Sequence, residues 1–264
     1  MKDDSIKIID TKSHKAVVDS KGTFIKREET LAVERALQIV INNIEFSMTM
    51  QTPGAERYLI RGLLFAESIA NLPFKSFKKR ETDIGTIAKI RLDIDNNELI
   101  SRRFNMNSAC GVCGKESLEN LYKSIIPVNR KSTLKLDVDV VNDLYTSMYR
   151  YQKIFQQTGG VHAAGAVNSK GELIVVFEDV GRHNAVDKVI GFLLEEDLLN
   201  SAEMLIVSSR VSFEIVQKCA NAKIPVLIAI SAPSSLSVEM ARKAGIKLLA
   251  FCKKDRMTYY NGYE

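Results

Sequence analysis

No run of apolar residues in this 264-residue chain approaches the ~20 needed to cross a bilayer as a helix. The opening, Met1-Lys2-Asp3-Asp4, lacks the basic-then-apolar order of a secretory signal, so a soluble protein in the cytoplasm is expected. Cysteine is scarce: Cys110, Cys113, Cys219 and Cys252 do not make a disulfide framework in a compartment that keeps thiols reduced. There is no internal repeat, no low-complexity tract and no obvious interdomain linker. Charge of one sign does not dominate either. Lys and Arg total 37 against 32 for Asp and Glu, a net +5 spread along the chain apart from 75–80 and 253–254. That falls short of the basic stripe expected for duplex nucleic acid, but it suits an acidic partner or a phosphorylated ligand. What is present, 45% hydrophobic and 26% charged residues, is the composition of a globular protein with one large or two modest domains.

Residues 1–105 are expected to form a β-rich domain with one helix. Leu37, Ile39 and Ile41 alternate with other residues, Asn42-Asn43 can turn, and Glu45 to Met50 returns as the second strand of a hairpin. Tyr58, Leu59, Leu63, Phe65, Ala66 and Ile69 share a helical face that ends before Pro73. Two further strands are expected, at Ile90 to Ile94 and, beyond Asn96-Asn97, at Leu99 to Phe104. Residues 106–264 have a different texture. A long helix around Asp139 to Gln156 precedes short apolar runs at Leu173–Phe177, Met204–Val207, Val226–Ile230 and Ile246–Phe251, separated by helices near 184–197, 212–222 and 235–244. Apolar strands without polar alternation are covered on both faces, so the expectation is an α/β protein with a central sheet and ligands at strand ends. Those ends carry Asp179, Arg182 and His183, then Ser208-Ser209-Arg210, then Ser231 to Ser235.

Chemistry concentrates in Cys110-Gly111-Val112-Cys113-Gly114, a small glycine-rich segment followed by a helix-forming stretch over 116–125. A helix N-terminus together with Lys115 lowers a thiol pKa and raises the reactive thiolate. Three other readings of the same pair exist. Structural zinc needs two more ligands, and Cys219, Cys252, His162 and His183 are single, distant residues. A thioredoxin-type oxidoreductase would need a buried strand before the dithiol and a nearer proline than Pro225. A zinc deaminase would need Pro before the pair and Glu two residues after a ligand, but Ala109 and the runs His162-Ala163-Ala164 and His183-Asn184-Ala185 supply neither. His183 with Arg182, Asn184, Asp179 and Asp187 also fits an ordinary helix cap, and His162 fits a packing role.

Taken together, these segments resemble the FdhD family of formate dehydrogenase accessory sulfurtransferases, from about Val33 to Tyr260. The resemblance rests on Val33-Glu34, Thr52-Pro53, Gly62-Leu63-Leu64 with Glu67, the dithiol segment, Gly159-Gly160-Val161-His162, Glu178 to Lys188, Ser208-Ser209-Arg210 and Phe251 to Arg256. Ala36, Asn43 and Ser68 depart from it, standing where the family commonly has proline, glycine and glycine.

The resemblance implies a three-layer, cytidine-deaminase-like domain behind the smaller N-terminal one, without deaminase chemistry or a permanent metal. It also implies a sulfurtransferase that takes sulfur from a cysteine desulfurase as a persulfide. That sulfur would pass to the bis(molybdopterin guanine dinucleotide) molybdenum cofactor before insertion into formate dehydrogenase. Cys110 would carry the sulfur and Cys113 would help or alternate. The cofactor, or a guanine nucleotide mimicking it, would bind at Phe251, Cys252, Lys253, Lys254, Asp255 and Arg256, where the three cations meet phosphate and Phe251 packs on guanine. A homodimer is expected from the same resemblance.

Overall fold

The computed structural model describes residues 10–69, 71–97, 99–100 and 126–263. Cys110, Cys113 and the helix expected over 116–125 lie outside the described residues. A two-stranded ribbon comes first, β1 (Thr11–Ser20) against β2 (Thr23–Ala32). A four-stranded sheet follows in the order β4-β3-β6-β5, from β3 (Arg35–Ile41), β4 (Ile44–Gln51), β5 (Ser76–Glu81) and β6 (Gly85–Arg91). The Asn42-Asn43 hairpin is present, with φ of 49° and 67°. Paired left-handed residues make the turn whose twist matches that of the strands, and asparagine adopts that conformation more readily than most side chains. Ser68, at φ 56°, is likewise left-handed just past helix α1 (Glu56–Ala66).

The larger sheet runs β12-β11-β10-β9-β7-β8. Its strands are β7 (His162–Asn168), β8 (Leu173–Asp179), β9 (Ala202–Val207), β10 (Val226–Ala229), β11 (Lys247–Lys253) and β12 (Arg256–Tyr259). Helices α4 (Arg182–Glu195), α5 (Phe213–Asn221) and α6 (Ser235–Ala244) bury Val189, Ile215, Val216 and Met240 against one face. Helix α2 (Val138–Tyr149) closes the other with Val141, Leu144 and Met148. The mixed α/β class is as expected, and so are the four apolar strands and the three helices between them.

Three local expectations differ. The strand expected at Ile90 to Ile94 is β6, which starts earlier, at Gly85, and ends at Arg91, so Leu92 to Ile94 lie beyond it. The long helix over 139–156 is broken at Arg150–Gln152 into α2 and a short α3 (Lys153–Thr158). The strand expected at 99–104 is not extended where it is described, because residues 96–97 and 99–100 are helical and bury Leu99 in the small core. Strand β7 escaped the apolar-run reading because it is built of small residues (His-Ala-Ala-Gly-Ala-Val-Asn), although it lies between β8 and β9.

The two sheets are joined through helices. Leu59, Ile60 and Leu64 of α1 enter the core of the small sheet. The opposite side of α1 crosses α4 with almost no side chain between the backbones. A Cβ on Gly62 would lie 1.9 Å from the Asp187 carbonyl oxygen, and one on Gly191 would lie 1.8 Å from that of Tyr58. Tyr58 also packs edge-on against Phe192, at 5.3 Å between ring centroids. Gly62→Ala is therefore expected to destabilise the protein by about 3 kcal/mol or more in urea unfolding, since neither backbone can give way. Gly160→Ala, whose Cβ would meet nothing closer than 3.4 Å, should stay within about 0.5 kcal/mol of wild type.

Candidate functional site

Strand β7 runs antiparallel to both β8 and β9, while β10 is parallel to β9 and β11, so β8, β9, β10 and β11 all point the same way. Their carboxyl ends form one edge, the place where open α/β sheets bind ligands. Helices α4, α5 and α6 each start there, α4 and α5 without a side-chain cap and α6 capped by Ser234 Oγ, and helix N-termini favour negative charge. The connecting loops are laced together: Val211 N donates to Ala232 O at 3.1 Å and Ser234 N to Val211 O at 3.0 Å. Antiparallel β7 begins at the same edge, which brings His162 beside Ser208. Ala163 N donates to Ser208 Oγ at 2.9 Å, and Ser208 N donates to Ala163 O at 3.0 Å.

Residues that looked like separate caps in the sequence thus share one cationic rim. Burial, then the charges of Arg182 and Arg210, pushes the His162 pKa down. His183, whose Nε2 lies 3.1 Å from Ser212 Oγ, is pushed down to about 4 by burial, then by Lys218 and Arg182, with Glu214 pulling the other way. Both rings are neutral near pH 7. The Nε of Arg182 is buried without a hydrogen-bond partner among the described residues.

Phe251 to Arg256 lies along the same edge as the β11–β12 hairpin. Phe251 adopts φ 53° at a register shift, its N donates to Ser231 O at 3.3 Å, and the Arg256 guanidinium sits 5.1 Å from its ring centroid. Lys253, Lys254, Asp255 and Arg256 are exposed, and Asn142 of α2 holds the Lys254 carbonyl at 2.8 Å. Cys252 faces inward, 3% exposed, and burial pushes its thiol up to about 12. Cys219 is fully buried on the opposite face of the sheet, so these two cannot complete one tetrahedral site.

Beneath the edge lies a network the sequence did not reveal. Lys188 Nζ meets Asp179 Oδ2 at 2.6 Å and donates to Thr52 O at 2.8 Å. Asp179 accepts from Thr52 N at 3.1 Å, Gly181 N at 2.8 Å and Asn184 Nδ2 at 3.1 Å. Behind it, Lys218 bonds Asp187 at 2.7 Å, and Asn221 donates to Ala66 O at 2.7 Å. Burial works against the Lys218 ammonium, but the Asp187 carboxylate outweighs it and holds Lys218 above its ordinary pKa. The sequence signal was Thr52-Pro53 together with Asp179 and Lys188, but nothing in the order of residues pairs them.

The FdhD/NarQ family model matches residues 32–264. This chain belongs to the FdhD/NarQ family. Among FdhD/NarQ relatives, the "Sulfur carrier protein FdhD" of Mycobacterium tuberculosis is 37% identical, covering 91% of this chain and 93% of its own length. That of Nocardia farcinica is 39% identical over 90% and 88%. The fold is shared with the crystal structure of a candidate formate dehydrogenase accessory protein from Desulfotalea psychrophila, with a TM-score of 0.76, 24% identity, and coverage of 96% of this chain and 98% of the other. No helix among the described residues is long and apolar enough to cross a membrane.

In this FdhD/NarQ site the depressed His183 makes a signed prediction. Between pH 6.5 and about 4 the unfolded chain protonates this ring and the native state does not, so stability falls as pH falls through that window. The urea midpoint of wild type should drop more steeply from pH 6.5 to 4 than that of His183→Gln, and parallel curves would remove the assignment.

Proposed function

We propose that this protein is a sulfur carrier that serves formate dehydrogenase. The observation that carries this reading is the match to sulfur carrier FdhD proteins along nine-tenths of the chain, in a sequence that holds a Cys-x-x-Cys dithiol with a glycine after each cysteine. Cys110 attacks the outer sulfur of a cysteine desulfurase persulfide, and the desulfurase thiolate leaves, so the transfer is redox-neutral. Cys113 then attacks the Cys110 persulfide and releases hydrosulfide, leaving a Cys110–Cys113 disulfide that a thiol reductant reopens. Hydrosulfide is the two-electron-reduced form that a metal takes as a ligand, here the molybdenum of the bis(molybdopterin guanine dinucleotide) cofactor before it enters formate dehydrogenase.

The cationic rim supports a polyanionic substrate at the strand ends. Lys253, Lys254 and Arg256 are exposed for phosphate, and one face of the Phe251 ring is covered by Arg256. Cys252 contributes its backbone, because its side chain points into the core. The β7–β8 hairpin followed by three parallel strands supports the cytidine-deaminase-like reading of the large sheet. We place the protein in the cytoplasm as a homodimer, a two-fold match to a cofactor with two nucleotide ends.

Cys110→Ala should fold normally, retain guanine-nucleotide binding and abolish maturation of formate dehydrogenase. Wild-type protein incubated with a desulfurase and cysteine should gain reductant-labile sulfur, visible in its intact mass and mapping to Cys110. Normal maturation by the variant, or one zinc per chain and no sulfur gain, would overturn the proposal in favour of a structural dithiol.

A further inference from the structure

The basic run at 75–80 has no part in the large sheet, and the small sheet shows where its charges go. Strand β5 pairs antiparallel with β6, which places Lys78 directly opposite Lys89, Arg80 opposite Ile87 and Ser76 opposite Arg91. Side chains alternate along a strand, so Lys78, Arg80, Lys89 and Arg91 project from one face while Phe77, Lys79 and Ile90 project from the other. The second face is the core side: Ile90 is buried, Phe77 packs against the small core, and Lys79 reaches Glu56 of α1 at 3.0 Å. Lys75, the remaining cation of the run, meets Asp93 at 2.9 Å. On the outer face the four cations are exposed, and their side chains make no ion pair or hydrogen bond to another described residue.

Edge strands commonly carry lysine to repel further strands, which accounts for Lys78 and Arg80 on the outermost strand β5. It does not account for Lys89 and Arg91, because β6 lies inside the sheet between β3 and β5. Like charges directly opposite across a ladder, about 5 Å apart at Cβ, weaken a sheet. The Lys78–Lys89 repulsion is relieved when an anionic surface covers this face.

The rest of the face identifies the kind of surface. The row that begins at Arg80 continues through Ile87 and Gln38 to Met48, and the next runs from Lys78 and Lys89 through Val40 to Glu45. Met48 is 71% exposed, and Ile84 at the β5–β6 turn is 91% exposed. These rows hold no aromatic ring for base stacking, and the backbone N–H groups of a sheet interior are spent in the ladder rather than aimed at a phosphate. Exposed apolar side chains beside unpaired cations are the composition of a protein interface whose partner supplies carboxylates.

We infer that the outer face of the small sheet docks an acidic protein surface, that of the donor which delivers sulfur to this chain. This deepens the sulfur-carrier reading above and rests on it. In that reading the strand-end rim of the large sheet is taken by the polyanionic substrate, so the recipient enzyme has to approach there. A docking face on the other sheet is left to the donor, and the dithiol is the next motif in the chain after β6.

Sulfur loading of the full chain, followed by intact mass, tests this with two donors: a cysteine desulfurase with cysteine, and glutathione persulfide, which needs no docking face. The double variant Lys89→Glu/Arg91→Glu should load at least tenfold more slowly than wild type from limiting desulfurase, recover at high desulfurase concentration, and match wild type with glutathione persulfide. Raising the ionic strength should slow desulfurase loading of wild type more than that of the variant. Lys78→Glu replaces a like-charge pair by an opposite one, so it should slow desulfurase loading with an unchanged or raised melting temperature. Loss of structure would not produce that combination, which keeps the test intact if the double variant fails to fold. Wild-type rates of desulfurase loading in both variants overturn the inference, and so does equal slowing with both donors. Normal loading with impaired maturation of formate dehydrogenase would give the face to the recipient and overturns it as well. If wild type gains sulfur from neither donor, the sulfur-carrier reading itself fails and the inference falls with it.

Discussion

Lys188 and Asp179 meet at 2.6 Å with side chains 2% and 0% exposed, where β8 gives way to α4. A lone charge at either position would be strongly destabilising, because desolvation at that depth is not recovered without the partner. The pair is tolerated because both ends are further hydrogen-bonded: Asp179 accepts from Thr52, Gly181 and Asn184, and Lys188 donates to the Thr52 and Glu178 carbonyls. Several of those groups belong to the Thr52 segment, more than a hundred residues earlier in the chain. The ion pair is therefore also the bond between the small sheet and the large one. It fixes the point from which α4 departs, and with it Arg182 and His183. The glycine crossing of α1 and α4 sets the depth of the same contact, since Gly62 and Gly191 let backbone meet backbone.

Given that foundation, the electrostatics of the edge follow from topology. Three helices begin where parallel strands end, and the polar residues needed to start a helix are brought side by side. The same arrangement keeps His162 and His183 neutral, because burial first, and then the neighbouring arginines and Lys218, oppose a further positive charge. A neutral imidazole can accept as well as donate a hydrogen bond, which suits contact with a polyanion whose charge the arginines already offset. In the proposed function, sulfur chemistry and recognition of a phosphorylated substrate would fall to different parts of the chain, one in a short glycine-rich segment and the other along a rigid sheet edge.

Much of the second half was legible from the chain alone. Leu173–Phe177, Met204–Val207, Val226–Ile230 and Ile246–Phe251 are continuous apolar runs, and such runs become strands covered on both faces. The ribbon β1–β2 and strand β5 were not legible, because strands exposed on most of their length carry little hydrophobic signal. Strand β7 was missed for the opposite reason: Ala163, Ala164, Gly165 and Ala166 are small enough for the sheet interior but belong to no distinctive pattern. The helix break at Arg150–Gln152 was equally invisible, since neither proline nor glycine marks it.

By itself, the sequence determined the α/β class, the order of the main strands and helices, and the family, since these rest on local periodicity and on motifs that are contiguous in the chain. Tertiary structure alone decided that His162, His183, Arg182 and Arg210 share one rim, that Cys252 faces the core, and that Thr52 answers Asp179 and Lys188. Each of these is a pairing between residues distant in sequence. Strand order and burial create such pairings, and neither is written in the spacing of residues along the chain.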